Sequence, residues 1–226
     1  MHTVITPDAR LLSAVPYITA GGRIVDVGTD HAYLPIYLVR QGLVSGALAC
    51  DINQGPIHSA RANIAAAGLD GSIGTLLTDG LHGVESYSPD DVLIFGMGGE
   101  LIVRILSEAP WIRDGRIGLI LQPMSRASVL RKWLTENGFS ITGETITFED
   151  KYYQTLAARF TGKNEEYSDT ELAVGRLNIA QRPPLFHDFV RHEIGVLDAV
   201  LRGKARSANA DTSFEERMKK NLEELL

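Results

Sequence analysis

Arg23-Ile24-Val25-Asp26-Val27-Gly28-Thr29-Asp30-His31-Ala32 is the stretch on which the reading of this chain turns. Ile24, Val25 and Val27 are apolar and β-branched, the composition of a strand covered on both faces of a parallel sheet. The run breaks at Gly28, and a helical segment is expected from Leu34 to Val39. A strand, a tight turn and a helix start bring backbone N–H groups and the positive helix end into one crevice. Gly28 and Ala32 are small enough for a ligand to approach the main chain there.

Two ligands compete for that crevice. A dinucleotide calls for G-x-G-x-x-G, whose glycines make room for a pyrophosphate. Here Asp30 stands in place of the second glycine, and a carboxylate repels phosphate, which argues against NAD or FAD. The Asp-x-Gly-x-x-x-Ala spacing resembles the first motif of class I S-adenosylmethionine (SAM) methyltransferases. A ligand with an ammonium and a sulfonium, and no phosphate, suits an acidic mouth. An ordinary strand-to-helix turn is the alternative.

The remaining strands follow the same logic. Val44 to Cys50 reads as a second apolar strand ending at Asp51, about 20 residues past the glycine turn, where nucleotide folds place a carboxylate on ribose hydroxyls. Its alternative role is a helix N-cap. Ile57 to Ala67 is an Ala-rich helix, and Ile73 to Leu77 a third strand closed by Thr78-Asp79-Gly80. Asp79 and Gly80 either reach an adenine amine or form a plain turn. Asp91 to Phe95 is a fourth strand running into Gly96-Met97-Gly98-Gly99, exposed backbone where doubly wound sheets hold ligands. Ile117 to Leu121 is a fifth, ending Gln122-Pro123-Met124. A helix from Ser125 to Asn137 follows and carries Arg126, Arg131 and Lys132. Phe139 to Phe148 and Tyr153 to Phe160 flank Glu149-Asp150-Lys151 as a hairpin. Alternating β and α with an antiparallel pair at the end predicts a mixed seven-stranded α/β sheet.

At the N-terminus, Thr6-Pro7-Asp8 reads as a helix start with Thr6 as N-cap. Leu11, Leu12, Val15 and Ile18 continue at helical spacing, with Arg10 off the stripe. Beyond about residue 161 the strands stop. Helices are expected at Thr170 to Ala180, Pro184 to Gly203 and Phe214 to Leu226. Val190, Ile194, Leu197 and Leu201 form a seam for an antiparallel pair, and Arg202-Gly203-Lys204-Ala205-Arg206 reads as a solvated basic hinge. This divides the chain into a sheet domain, 1–161, and a small all-helical extension, 162–226, too small to stand alone.

The totals set limits. The chain has 226 residues, 44% of them hydrophobic and 22% charged, and its mean hydropathy is near zero. No apolar run reaches the roughly 18 residues that span a bilayer, and residues 1–7 lack the features of a signal peptide. Cytoplasmic placement is the resulting expectation. The one cysteine, Cys50, excludes an internal disulfide and a multi-cysteine zinc site, so no metal is expected. The net charge of −6 argues mildly against nucleic acid, although local charge decides that question.

Asp26-Val27-Gly28-Thr29-Asp30-His31-Ala32-Tyr33-Leu34-Pro35, with Gly96-Met97-Gly98-Gly99, Leu121-Gln122-Pro123 and Glu149-Asp150, resembles the bacterial tRNA adenine-N1 methyltransferases of the TrmK type over about residues 5 to 161. The family often carries Glu where this chain has Asp51, and a polar residue where Met124 stands. The resemblance implies a Rossmann-like class I methyltransferase fold with a helical, coiled-coil-like extension. It also implies SAM as cofactor and methylation of N1 of adenine 22 in tRNA. By position, Asp26 and Gly28 hold the methionine end, Asp51 the ribose, and Asp79 with Gly80 the adenine of SAM. Asp30, His31 and Gly96 complete that set. Backbone carbonyls of Gly96, Met97, Gly98 and Gly99, and Gln122, are the candidate acceptors for the substrate amine. Arg10, Tyr33, Arg126, Arg131 and Lys132 are the candidate tRNA contacts, and a monomer or weak dimer is expected. A methyltransferase acting on another RNA, a protein or a small molecule, and a non-catalytic SAM-binding module, are the rival readings.

Overall fold

The computed structural model describes residues 7–205 and 211–226. In chain order its elements are α1 (Ala9–Leu12), β1 (Arg23–Val27), α2 (Tyr33–Arg40), β2 (Gly46–Asp51), α3 (Gln54–Ala66), β3 (Ile73–Leu77), β4 (Asp91–Met97), α4 (Gly99–Ser107), β5 (Gly118–Pro123), α5 (Ala127–Glu136), β6 (Phe139–Phe148), β7 (Tyr152–Phe160), α6 (Asp169–Val174), α7 (Arg176–Gln181), α8 (Phe186–Lys204) and α9 (Ser213–Glu223). The strands make one seven-stranded sheet in the order β3-β2-β1-β4-β5-β7-β6. Strands β1 to β5 run parallel, and β7 is antiparallel to both its neighbours. Successive β1 side chains serve opposite faces: Val25 and Val27 join one apolar layer with Val92 and Ile94, and Ile24 joins the other with Leu93 and Ile120. The chain order reverses between β1 and β4, so the loops after these strands diverge and open a crevice at their carboxyl ends.

Three expectations about helices are corrected. Thr6 lies outside the described residues, and the N-cap is Asp8, whose carboxylate accepts from the Leu11 N–H at 2.8 Å. The stripe that continues to Ile18 is not one helix: α1 ends at Leu12, and Val15–Tyr17 form a 3-10 turn. Pro16 explains the break, since it cannot donate to a preceding carbonyl and its ring crowds the turn before it. The segment 170–180 likewise splits into α6 and α7 at Gly175, whose φ of +94° needs glycine. A Cβ there would collide with the Glu144 carboxylate.

That carboxylate explains how the helical extension is fastened. Arg131 and Glu144 have no exposed side-chain surface and meet at 2.7 Å. The Arg131 guanidinium also donates to the Leu172 and Ala173 carbonyls that end α6, and to Gln154 Oε1 on β7. The second Glu144 oxygen accepts from the Leu177 N–H at the start of α7. Around this network Ile146 of β6 packs with Val174, Phe186, Phe189, Val190, Met218 and Leu222. Helices α8 and α9 form the antiparallel pair that the seam predicts. Lys204, read as part of a solvated hinge, instead pairs with Glu215 of α9 at 2.7 Å; Arg206 of that cluster lies outside the described residues.

Arg131 therefore cannot meet tRNA phosphates, and this expectation is corrected. The sequence shows a cation on a helix, but not that the acid on the next strand is buried against it and neutralises it. Removing one partner leaves an uncompensated buried charge. Arg131→Met should lower stability by about 3–5 kcal/mol in urea denaturation, and adding Glu144→Leu should restore much of the loss.

Candidate active site

A cavity of about 560 Å³ opens where the reversal of strand order predicts it. Asp26, Gly28, Thr29, Asp30, His31, Tyr33, Asp51, Gly96 and Met97 line it together with Arg10. Gly28 has φ +79°, a conformation that favours glycine, and a Cβ there would need the flexible Met97 methyl to move aside. Its N–H and that of Thr29 donate to the Cys50 carbonyl at 2.8 and 2.9 Å, which pins the turn to the end of β2. Ala32 adopts a left-handed φ of +55°, a strained conformation for a non-glycine residue. It caps α2 without a side-chain hydrogen bond, so the first N–H groups of the helix are not taken by a capping side chain. The His31 carbonyl accepts from the Asn63 amide at 3.0 Å, which fixes the loop from α3. His31 and Tyr33 stack at the rim, centroids 5.0 Å apart.

The electrostatics select the ligand. Burial pushes the Asp26 carboxyl up to about 6; the neighbouring Thr29 hydroxyl and the Arg10 guanidinium oppose the shift, and Asp51 adds to it. Among the described residues the buried Thr29 hydroxyl makes no hydrogen bond of good geometry, although it lies close enough to Asp26 to favour the ionised carboxyl. Behind these carboxylates the Cys50 thiol is raised to about 12, by burial first and then by Asp26 and Asp51. An orphaned hydroxyl, a glycine cradle and three acids on one wall fit a ligand with cationic groups and exclude a pyrophosphate.

Arg10 stands inside this cavity and not on an outer surface. Gln122 holds it there: its Oε1 accepts from Arg10 Nη1 at 3.1 Å, while its Nε2 donates to the Arg10 carbonyl and to Thr155 Oγ1. Gln122 is fully buried with both ends engaged, so the expectation that it accepts from the substrate is corrected to a role in placing Arg10. Among the loop carbonyls, that of Met97 accepts from the Met124 N–H and that of Gly98 from the Ile102 N–H. Gly96 drops out of the β4–β5 register as a bulge and lines the cavity. Gly98 and Gly99 lie off the cavity wall; Gly99 is required because its Cα packs on the Arg126 backbone.

Asp79 and Gly80 also lie off the wall. Asp79 pairs with Arg104 at 3.2 Å, and Gly80 packs on Ile105. Arg126 is exposed and 3.8 Å from Glu100, and Lys132 is exposed beside Glu136. Missing from the sequence reading are Ile52 and Asn53, which line the cavity directly after Asp51. Their position directly after the strand-ending Asp51 was the available signal.

A doubly wound sheet with an acidic, phosphate-excluding crevice at the β1/β4 reversal defines a class I SAM-dependent methyltransferase. The family model TrmK, described as tRNA (adenine(22)-N(1))-methyltransferase, matches residues 24–224, and the chain belongs to this family, with SAM as its methyl donor. The tRNA (adenine(22)-N(1))-methyltransferase of Bacillus subtilis (strain 168) is 37% identical over 169 residues, 74% of this chain and 71% of that protein. The crystal structure of Streptococcus pneumoniae Sp1610 in complex with SAM is 31% identical, with TM-score 0.87 over 98% of this chain and all of that one (100%). The structure of M. capricolum TrmK with S-adenosyl-homocysteine is 28% identical, with TM-score 0.79 over 97% and 96% of the two chains.

Asp26 sets a pH dependence. Folding raises its pKa above the ordinary 3.8, so the ionised form destabilises the unliganded fold increasingly as pH rises from about 4 through 6. A cationic ligand favours that ionised form, so below about pH 6 binding must displace a proton. SAM affinity measured by calorimetry should fall about tenfold per pH unit below 6. Asp26→Asn should bind more weakly and show a flat profile.

Proposed function

We infer that this chain transfers the SAM methyl group to N1 of adenine 22 in tRNA, chiefly by positioning. The observation that carries this reading is the acidic crevice with Asp26 buried and Thr29 unpartnered, in a chain of this family. When bound, the cofactor supplies an electrophilic methyl on a cationic sulfur. Asp26 and the Thr29 hydroxyl hold the methionine ammonium. Arg10, fixed by Gln122, faces the methionine carboxylate with the uncapped N–H groups of α2. Asp51 takes the ribose hydroxyls, and Ile52 packs on the adenine ring beside Asn53. Asp79 reaches the adenine amine only by giving up Arg104.

Adenine N1 carries an in-plane lone pair and no proton, so no general base is required. What the site must supply is alignment, worth about 7 kcal/mol or more when reacting atoms are held in line. The Gly96 carbonyl is the acceptor we assign to the N6 amine, and Tyr33 is the stacking face for the target ring. As the ring becomes cationic, Asp26, Asp30 and Asp51 stabilise the developing charge. N1 lies on the Watson–Crick edge, so the base must leave its stack to react. Arg126 and Lys132 hold phosphates beside the crevice, and residues 162–226 act as a helical unit giving a second contact.

Incubation with labelled SAM and a tRNA transcript, followed by nuclease digestion, should give 1-methyladenosine at position 22 and none in a transcript with guanine there. Label appearing only on a small molecule, or no transfer despite SAM binding, would overturn the assignment. Asp51→Ala should weaken SAM binding by about tenfold or more, the scale of one lost charge-assisted contact. tRNA affinity should fall steeply with added salt through counterion release.

A further inference from the structure

Among the described residues, five large apolar side chains of the sheet unit are exposed: Ile52, Leu77, Leu101, Met124 and Phe148. All five sit at the carboxyl end of a strand or in the element just after it, and none sits at the opposite rim. Concentrated apolar exposure on one rim marks a face that receives a ligand. Ile52 adjoins the cofactor crevice, but Phe148 lines no part of it. It is 52% exposed at the end of β6.

Phe148 is braced from the protein side. Its ring lies 4.9 Å from Tyr152, which is 5.2 Å from His192 and 5.7 Å from Phe189 of α8. The ledge thus joins the sheet rim to the helical extension. The turn beneath it is fixed. The Ala9 N–H donates to Glu149 at 2.8 Å, and the Tyr153 hydroxyl to Asp150 at 2.7 Å. Both acids of the turn spend an oxygen on protein donors, while Lys151 beside them and Arg126 beside Met124 are exposed cations.

We propose that Phe148, supported by Tyr152 and His192, is a second stacking platform that receives an unstacked nucleobase of the tRNA next to the methylated adenine. This rests on the reading of tRNA adenine N1 as the acceptor. Extruding one base uncovers the face of its neighbour, and a bare base face in water is unfavourable. An exposed aromatic ring covers any base without reading its identity. The exposed Lys151 at the same turn, with Arg126 on the same rim of the sheet after β5, supplies positive charge for the flanking phosphates, which a partner protein would not require.

The test compares wild type with Phe148→Ala and Phe148→Trp in steady-state methylation of tRNA. Phe148→Ala should raise KM for tRNA about tenfold, equivalent to about 1.4 kcal/mol, with kcat and SAM affinity unchanged. Phe148→Trp should keep KM near wild type and show fluorescence quenched by tRNA beyond that of the native Trp111 and Trp133. An unchanged KM in Phe148→Ala overturns the proposal, as does an indole signal indifferent to tRNA. Sedimentation showing that Phe148→Ala abolishes self-association at unchanged KM overturns it too, assigning the ledge to a second copy of the chain. If wild type methylates tRNA and Phe148→Ala matches it, only the platform falls. If wild type methylates no tRNA, the functional reading falls with it.

Discussion

A carboxylate held largely out of water near the end of the central strand β1 is the constraint around which this molecule is arranged. Asp26 projects from β1, flanked by β2 and β4 and covered by apolar layers on both faces of the sheet. Such a group is costly when ionised and unpaired, and among the described residues no salt bridge neutralises it. The nearest guanidinium, Arg10, is engaged by Gln122. Among the described residues the Thr29 hydroxyl beside it makes no hydrogen bond of good geometry. The fold thus keeps a local deficit of positive charge and of hydrogen bonds that a cationic ligand makes good, so binding and local stability are two sides of one interaction.

Most of the sheet was legible because its signals are local. β3 and β6 fall at their expected bounds, and the glycine turns after β1 and β4 sit where the crevice opens. Legibility ended where a residue's meaning depends on a distant partner. Arg131 looks like any helix cation until Glu144 and the α6 carbonyls close around it. Gln122 looks like an acceptor at a strand end until Arg10, 112 residues before it, and Thr155, 33 residues after it, take both ends of its amide. Composition also overstated α1 and the helix through Gly175, because periodicity counts apolar spacing and ignores Pro16 and a glycine pressed on a carboxylate.

The Arg131–Glu144 network also bears on how the helical extension works. Its first two helices are held by hydrogen bonds to buried charge, and the pair α8 and α9 packs on β6 through the cluster around Ile146. A unit fastened in this way presents its outer faces at a fixed attitude to the sheet rim. A large folded substrate then meets one continuous surface instead of a tethered arm.

Cys50 has a practical consequence. Its thiol lies sealed behind the carboxylates, and with a pKa near 12 it is almost entirely protonated at neutral pH. Thiolate is the reactive form, so the native chain is inert background for maleimide chemistry. A single cysteine introduced on the outer face of α8 would therefore carry a reporter dye alone, without first removing a residue from the protein's interior.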